Sequence, residues 1–343
     1  MRTYLSSGDV FLGHKLVGEH PERPERLQAI LTAIDTSDLV GRFRNIPPRR
    51  ATQDELLRVH SASYLNDLRQ RMGDLQPKGQ GWIDPDTYYG PGSYEAALHA
   101  AGTATDLALR IAQSKGEPGD NGFALVRPPG HHASADRAMG FCLLNNIAVA
   151  AAAVRATGRR VAIVDFDVHH GNGTEEIFCR DGGVLFVSLH QFPFFPGSGA
   201  ATSIGEGNGR GCIVNIPLPE GSAGPEYKLA FKRVVLPVLR RFAPDVILVS
   251  AGFDGHSRDT LAGMSLVEDD YAQMVSSLLG VQSRMLLVLE GGYHQSALSA
   301  SVLSVLRVLI DPSGYRPSGH DAGTAPSDVV RQQLIEIQKL HGL

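Results

Sequence analysis

The sequence predicts an α/β fold built on an open parallel sheet with helices on both faces. Two observations carry this expectation. Five short, almost wholly apolar β-rich runs are separated by segments long enough for crossover helices, the pattern of strands buried on both faces. Four of the five are followed at once by a polar cluster, and such sheets bind ligands beyond the carboxyl ends of their strands.

In chain order, an alanine-rich helix from Tyr94 to Ala112 precedes the first run, Phe123 to Val126, which leads into Arg127-Pro-Pro-Gly-His-His132. A helix from Leu143 to Ala156 precedes Val161 to Val164 and the cluster Asp165-Phe-Asp-Val-His-His170. Val184 to Val187 forms the third run. A helix from Tyr227 to Phe242 then leads to Val246–Val249 and Ser250-Ala-Gly-Phe-Asp254. A helix from Asp269 to Gln282 leads to Met285–Leu289 and Glu290-Gly-Gly-Tyr293, and a helix from Ala297 to Leu309 closes the pattern. Glycine (38) and proline (20) are spread throughout, with no repeat and no linker, so a single domain over 1–310 is expected. The extension 311–343 begins Pro/Gly/Ser-rich and ends in a helix-like Val329 to Leu340, expected to pack on the domain or on another subunit of a homo-oligomer.

Composition narrows the function. With 343 residues, 43% of them hydrophobic, the chain fills a large core. Lys plus Arg number 32 against 36 Asp plus Glu, a net charge of −4 without a long basic run, which argues against direct nucleic-acid binding. The absence of an 18-residue apolar run and the start Met1-Arg2-Thr3-Tyr4 lead us to expect a soluble cytoplasmic protein with no membrane partner. Cys142, Cys179 and Cys212 are odd in number and widely spaced, as reduced thiols are, so other residues must hold any metal.

Asp165, Asp167 and His169 alternate along what reads as an extended segment, which places their side chains on one face. With Asp254 as a third ligand, one His and two Asp leave room for water, the open arrangement of a catalytic zinc site. A set so rich in oxygen also suits Fe²⁺, Co²⁺ or Mn²⁺. Asp165 either orients a histidine or holds a second ion. His131 and His132 follow two prolines and a glycine that stiffen the loop, and one of them is expected to shuttle a proton; spacing leaves open which. Tyr293, after two glycines that permit close backbone approach, is either a turn tyrosine or a hydroxyl aimed at a developing oxyanion.

Six motifs in this order resemble those of the histone deacetylase family, which includes bacterial acetylpolyamine amidohydrolases: Arg127 to Ala133, Gly140 to Asn146, Asp165 to Thr174, Phe194 to Gly197, Ala251 to Asp254 and Gly291 to Tyr293. The resemblance spans about residues 8–310. It implies an arginase/deacetylase-like three-layer fold with a parallel sheet of about eight strands, and zinc on Asp167, His169 and Asp254. By motif matching, His132 is the general base and acid, His131 its partner bonded to Asp165, and Tyr293 the carbonyl-polarising hydroxyl. Phe141 and Phe195 match tunnel walls around a lysine stem, Gly140 a carbonyl facing the leaving amine, and Asp86 an entrance carboxylate; each Phe is alternatively core, and Asp86 a turn cap. Potassium is implied at Asp165, Asp167, His169, Ser188 and Leu189. Asn172 stands where some members carry Asp, which makes the partner of His132 a neutral amide. Arg26, in His20-Pro-Glu-Arg-Pro-Glu-Arg26, matches a residue near an internal channel or is simply a charged helix start.

The expected function is zinc-dependent removal of acetyl groups from lysine side chains of a peptide or protein, with acetylated polyamines as the alternative substrate. An arginase-like ureohydrolase would need a second metal, yet Gly171 and His256 stand where bridging carboxylates would. A non-catalytic binding module is disfavoured because His132 and Tyr293 are both present.

Overall fold

A computed structural model of the chain describes residues 1–73, 79–116, 118–320 and 324–343. Eight strands form one parallel sheet: β1 (Thr3–Ser6), β2 (Arg44–Asn45), β5 (Asn121–Ala124), β6 (Val161–Asp165), β7 (Val184–Gln191), β8 (Ile213–Leu218), β9 (Val246–Ala251) and β10 (Met285–Leu289). Their order is β2-β1-β5-β10-β9-β6-β7-β8, and β3 (Gly81–Trp82) and β4 (Tyr88–Tyr89) form a separate antiparallel hairpin. Every residue of β5, β6, β7, β9 and β10 is buried, which is why all five read as apolar runs. The first begins two residues earlier than expected, at Asn121, where the backbone pairs with both Thr3 and Met285.

The helices are α1 (Pro24–Asp35), α2 (Gln53–Leu56), α3 (Ala62–Met72), α4 (Ser93–Ala112), α5 (Asn146–Arg155), α6 (Asn172–Phe178), α7 (Gly224–Ala230), α8 (Leu236–Phe242), α9 (Glu268–Leu279), α10 (Gln295–Ile310) and α11 (Asp328–His341). α4 and α5 pack on each other and on the central strands, while α1, α9 and α10 pack in a row on one another. The single helix expected from Tyr227 to Phe242 is instead α7 and α8 joined by a π turn, Phe231–Val235. Pro237, in the first turn of α8, has no N–H to continue a regular ladder. α5 starts at Asn145, whose side-chain oxygen accepts from Ala148 N at 3.0 Å.

The C-terminal α11 lies against α7, the π turn and β8. It buries Val330, Leu334 and Ile337, and Arg241 donates to the carbonyl of His341 at 2.6 Å. Among the described residues no helix is long and apolar enough to cross a membrane. All three cysteines are free.

Candidate active site

The four polar clusters follow β5, β10, β9 and β6, which are four consecutive strands of the sheet, so they meet along one edge. One detail differs from expectation. β6 stops at Asp165, and residues 167–169 form a bend instead of continuing the strand, their backbone N–H groups being taken by the carboxylates of Asp165, Asp167 and Asp254. Asp165 Oδ1 accepts from Asp167 N at 3.1 Å, Asp167 Oδ1 from His169 N at 2.9 Å, and Asp254 Oδ1 from Val168 N at 3.0 Å.

Asp167, His169 and Asp254 come together with one donor atom each, all within 4.8 Å of one another. Nδ1 of His169 lies 3.1 Å from Asp167 Oδ1 and 3.1 Å from Asp254 Oδ2. The glycines around the cluster leave it the space it needs. A Cβ on Gly291 would stand 2.2 Å from Asp254 Oδ2, and one on Gly252 would stand 2.1 Å from Asp167 Oδ2. Gly291 N donates to Asp167 Oδ2 at 2.9 Å. Burial opposes charge on all three residues. Even so, the two carboxylates push the His169 imidazole up to about 10, while burial beside Asp167 lifts the Asp254 carboxyl to about 6. Two buried acids and an imidazole thus demand positive charge at one point, and the oxygen-rich donor set fits one divalent cation. No room exists for a second bridging acid at position 171, since a Cβ on Gly171 would lie 2.2 Å from Asp165 Oδ2.

The histidine pair divides into two unlike members. His131 Nδ1 lies 3.0 Å from Asp165 Oδ2; burial disfavours its charge, but Asp165 and Asp167 outweigh burial and push it up to about 10. His132 is held well below the usual imidazole range by burial and by the charges of His131 and His169. Its Nδ1 lies 2.7 Å from Asn172 Oδ1, an oxygen that can only accept, so the N–H sits on Nδ1 and Nε2 keeps its lone pair. The two rings lie 4.0 Å apart.

His131, His132 and His169 line a cavity of about 210 Å³ together with Asp86, Gly140, Phe141, Phe194, Phe195, Leu261 and Tyr293. Gly140 and Phe141 both have positive φ, 56° and 69°, and a Cβ on Gly140 would stand 2.4 Å from the His132 ring. Phe141 N donates to Thr87 Oγ1 at 3.1 Å, and Thr87 in turn donates to Asp86 Oδ1 at 3.0 Å, which ties the Asp86 carboxylate to the cavity wall. The Tyr293 ring meets Phe141 edge-on at 5.8 Å, and burial pushes its phenol well above the usual range. Phe195 approaches His132 edge-on at 5.3 Å and is 41% exposed, a wall residue and not core. Ser188 and Leu189 are buried on β7, Asp165 being paired in register with Ser188, whose Oγ lies 2.9 Å from His190 Nδ1.

Arg26 stands in the first turn of α1, as the helix-start reading has it, but it is fully buried and donates to the carbonyls of Glu290 and Gly292 at 2.6 Å each. Sequence reasoning missed several other supporting residues. Glu22 joins Arg26 to the equally buried Arg127, with Arg26 Nη1 at 3.0 Å and Arg127 Nη2 at 2.6 Å. The i, i+4 spacing of Glu22 and Arg26 was a usable signal. Glu290 accepts from Gly130 N at 2.6 Å, and burial raises its carboxyl to about 7. Phe194 stacks on His169 at 5.3 Å.

The sequence profile of the histone deacetylase domain matches residues 20–309. The chain belongs to the histone deacetylase family. Among relatives, it is 41% identical over 328 residues to Histone deacetylase 15 of Arabidopsis thaliana, covering 93% of this chain and 57% of that protein, so it spans little more than half of the plant relative. It is 40% identical over 344 residues to the Histone deacetylase-like amidohydrolase of Pseudomonas aeruginosa, covering 94% of this chain and 87% of that one. The crystal structure of the HDA15 HD domain matches with a TM-score of 0.90 and 38% identity, over 99% of this chain and 94% of that chain. The eight-stranded parallel sheet with its helices is therefore the arginase/deacetylase-like α/β fold of histone deacetylases.

Proposed function

We propose that the protein is a zinc-dependent deacetylase that hydrolyses the acetamide of N-acetylated lysine side chains. The observation that carries this reading is one cavity lined by a ligand histidine, a neutral base with a fixed tautomer, and a phenol. Asp167, His169 and Asp254 would hold the ion; Fe²⁺ or Co²⁺ suits the same donors. When bound, it supplies Lewis-acid polarisation of the amide carbonyl and makes water more acidic.

The chain's own groups do the rest. His132 Nε2 takes a proton from the attacking water, and the proton later goes to the departing amine. His131, charged against Asp165, makes a second imidazolium costly, so protonated His132 is a ready donor. Tyr293 donates a hydrogen bond to the carbonyl oxygen as negative charge grows there. Phe141 and Phe195 bury the apolar stem, the Gly140 carbonyl receives the amine, and Asp86 accepts from substrate groups at the mouth. We assign one potassium ion to the Asp165, Asp167 and His169 segment with Ser188 and Leu189; the pairing of Asp165 with Ser188 supports it. Acetylated polyamines present the same N-acetylated alkylamine and are the second reading.

Acetate release from acetyl-lysine peptides and from N-acetylputrescine tests both, before and after chelation and zinc return. We expect turnover that chelation abolishes and zinc restores, and the ratio of the two rates assigns the substrate. Tyr293→Phe is expected to lower kcat about a hundredfold with metal content unchanged. Metal-loaded protein that releases no acetate from either substrate would overturn the proposal.

A further inference from the structure

We propose that Asp259, in the loop after β9, is a positioning residue for Tyr293 that acts through the peptide unit joining Gly292 to Tyr293. The inference rests on the role given to Tyr293 under Proposed function. Among the described residues the Tyr293 hydroxyl has no hydrogen-bond partner. Its ring meets Phe141 edge-on at 5.8 Å and carries the Arg26 guanidinium over its face at 4.7 Å. Neither contact is a hydrogen bond to the hydroxyl, so the direction of the phenol also depends on its base, the backbone.

That backbone needs restraint from outside. Gly291 and Gly292 precede the tyrosine, and Gly292 sits at φ 114°, a region open to glycine where the chain has wide torsional freedom. A rotation of the following peptide plane would swing the tyrosine side chain with it. The structure holds that plane at both ends. Its carbonyl, Gly292 O, accepts from Arg26 Nε at 2.6 Å, and its N–H, on Tyr293, donates to Asp259 Oδ2 at 2.6 Å. The negative end of the peptide dipole faces a buried guanidinium and the positive end a buried carboxylate, the arrangement in which charge-assisted bonds are strongest. The same Oδ2 accepts from His294 N at 3.0 Å, just ahead of α10, where an anion is also favoured by the helix dipole. Asp259 Oδ1 accepts from Leu261 N at 3.1 Å, and Leu261 lines the cavity. One carboxylate thus sets both the aim of the phenol and one wall of the cavity that receives the substrate.

The test combines a structural and a kinetic readout on the full-length protein. Fluorotyrosine is incorporated, and the Tyr293 fluorine resonance is assigned by its loss in Tyr293→Phe. In Asp259→Ala we expect this resonance to shift and broaden while the other tyrosines stay in place. With an active enzyme, Asp259→Ala should lower kcat about ten- to hundredfold with KM nearly constant. In the Tyr293→Phe background, the same change should alter kcat by less than about twofold. Asp259→Asn keeps the volume and one acceptor oxygen, should fall between wild type and Asp259→Ala, and decides the matter if the alanine variant does not fold. An unmoved Tyr293 resonance in the folded variant, or a kcat loss that multiplies with that of Tyr293→Phe, would overturn the proposal. If wild type releases no acetate, the function fails, and the fluorine spectrum still decides whether Asp259 orients the ring.

Discussion

The role proposed for His132 rests on the atom on its far side. Asn172 Oδ1, 2.7 Å from Nδ1, fixes the tautomer without adding charge. A carboxylate at that position would favour the imidazolium and raise its pKa. We therefore expect Asn172→Asp to move the acidic limb of the kcat/KM profile to higher pH by about one unit, because the base is protonated, and lost, earlier as pH falls. An acidic limb that stays in place would remove Asn172 from this role.

Among the elements near the site, one tie joins two helices. His60, between α2 and α3, accepts at Nε2 from Asn145 N at 3.0 Å, which joins α3 to the start of α5. Burial lowers this imidazole from 6.5 to about 4. Between those values the unfolded chain binds a proton that the folded chain refuses, so stability is full above pH 6.5 and falls as pH drops towards 4. Urea titrations should show a loss of about 3 kcal/mol across that window that is missing in His60→Gln; equal slopes in both proteins would contradict the assignment. Legibility in the sequence followed the same elements. β5, β6, β7, β9 and β10 were visible as apolar runs, whereas β1, β2 and β8 were not: β2 is two exposed residues, and β8, although buried, is interrupted by Asn215 and by Pro217, which an edge strand tolerates. Asp167, His169, Asp254, His131, His132 and Tyr293 were legible because they directly follow those visible strands. The pairing of Glu22 with Arg127 and the contacts of Asp259 and Glu290 were not, since they depend on partners brought near by the fold.

For the molecule as a whole, the question is what the extension contributes. α11 inserts Val330, Leu334 and Ile337 at 0% exposure against α7, the π turn and β8.

 None of those three elements supplies a residue to the cavity. Ending the chain at residue 320 should therefore cost about 5 kcal/mol of stability and lower the thermal midpoint by roughly 10 °C, while kcat measured well below that midpoint stays near wild type. Calorimetry beside a turnover assay checks this; lost turnover at an unchanged midpoint would contradict it.

The order of the sheet has one more outcome. β5 and β6 are consecutive in the chain, yet β9 and β10 lie between them. A polypeptide emerging from the ribosome thus carries its histidine pair and its Asp-x-Asp-x-His run long before anything can draw them together. The slot between them is filled last, by the two strands that lead into Asp254 and Tyr293, so a prematurely terminated product that stops short of β9 lacks Asp254 and cannot complete the cluster with Asp167 and His169.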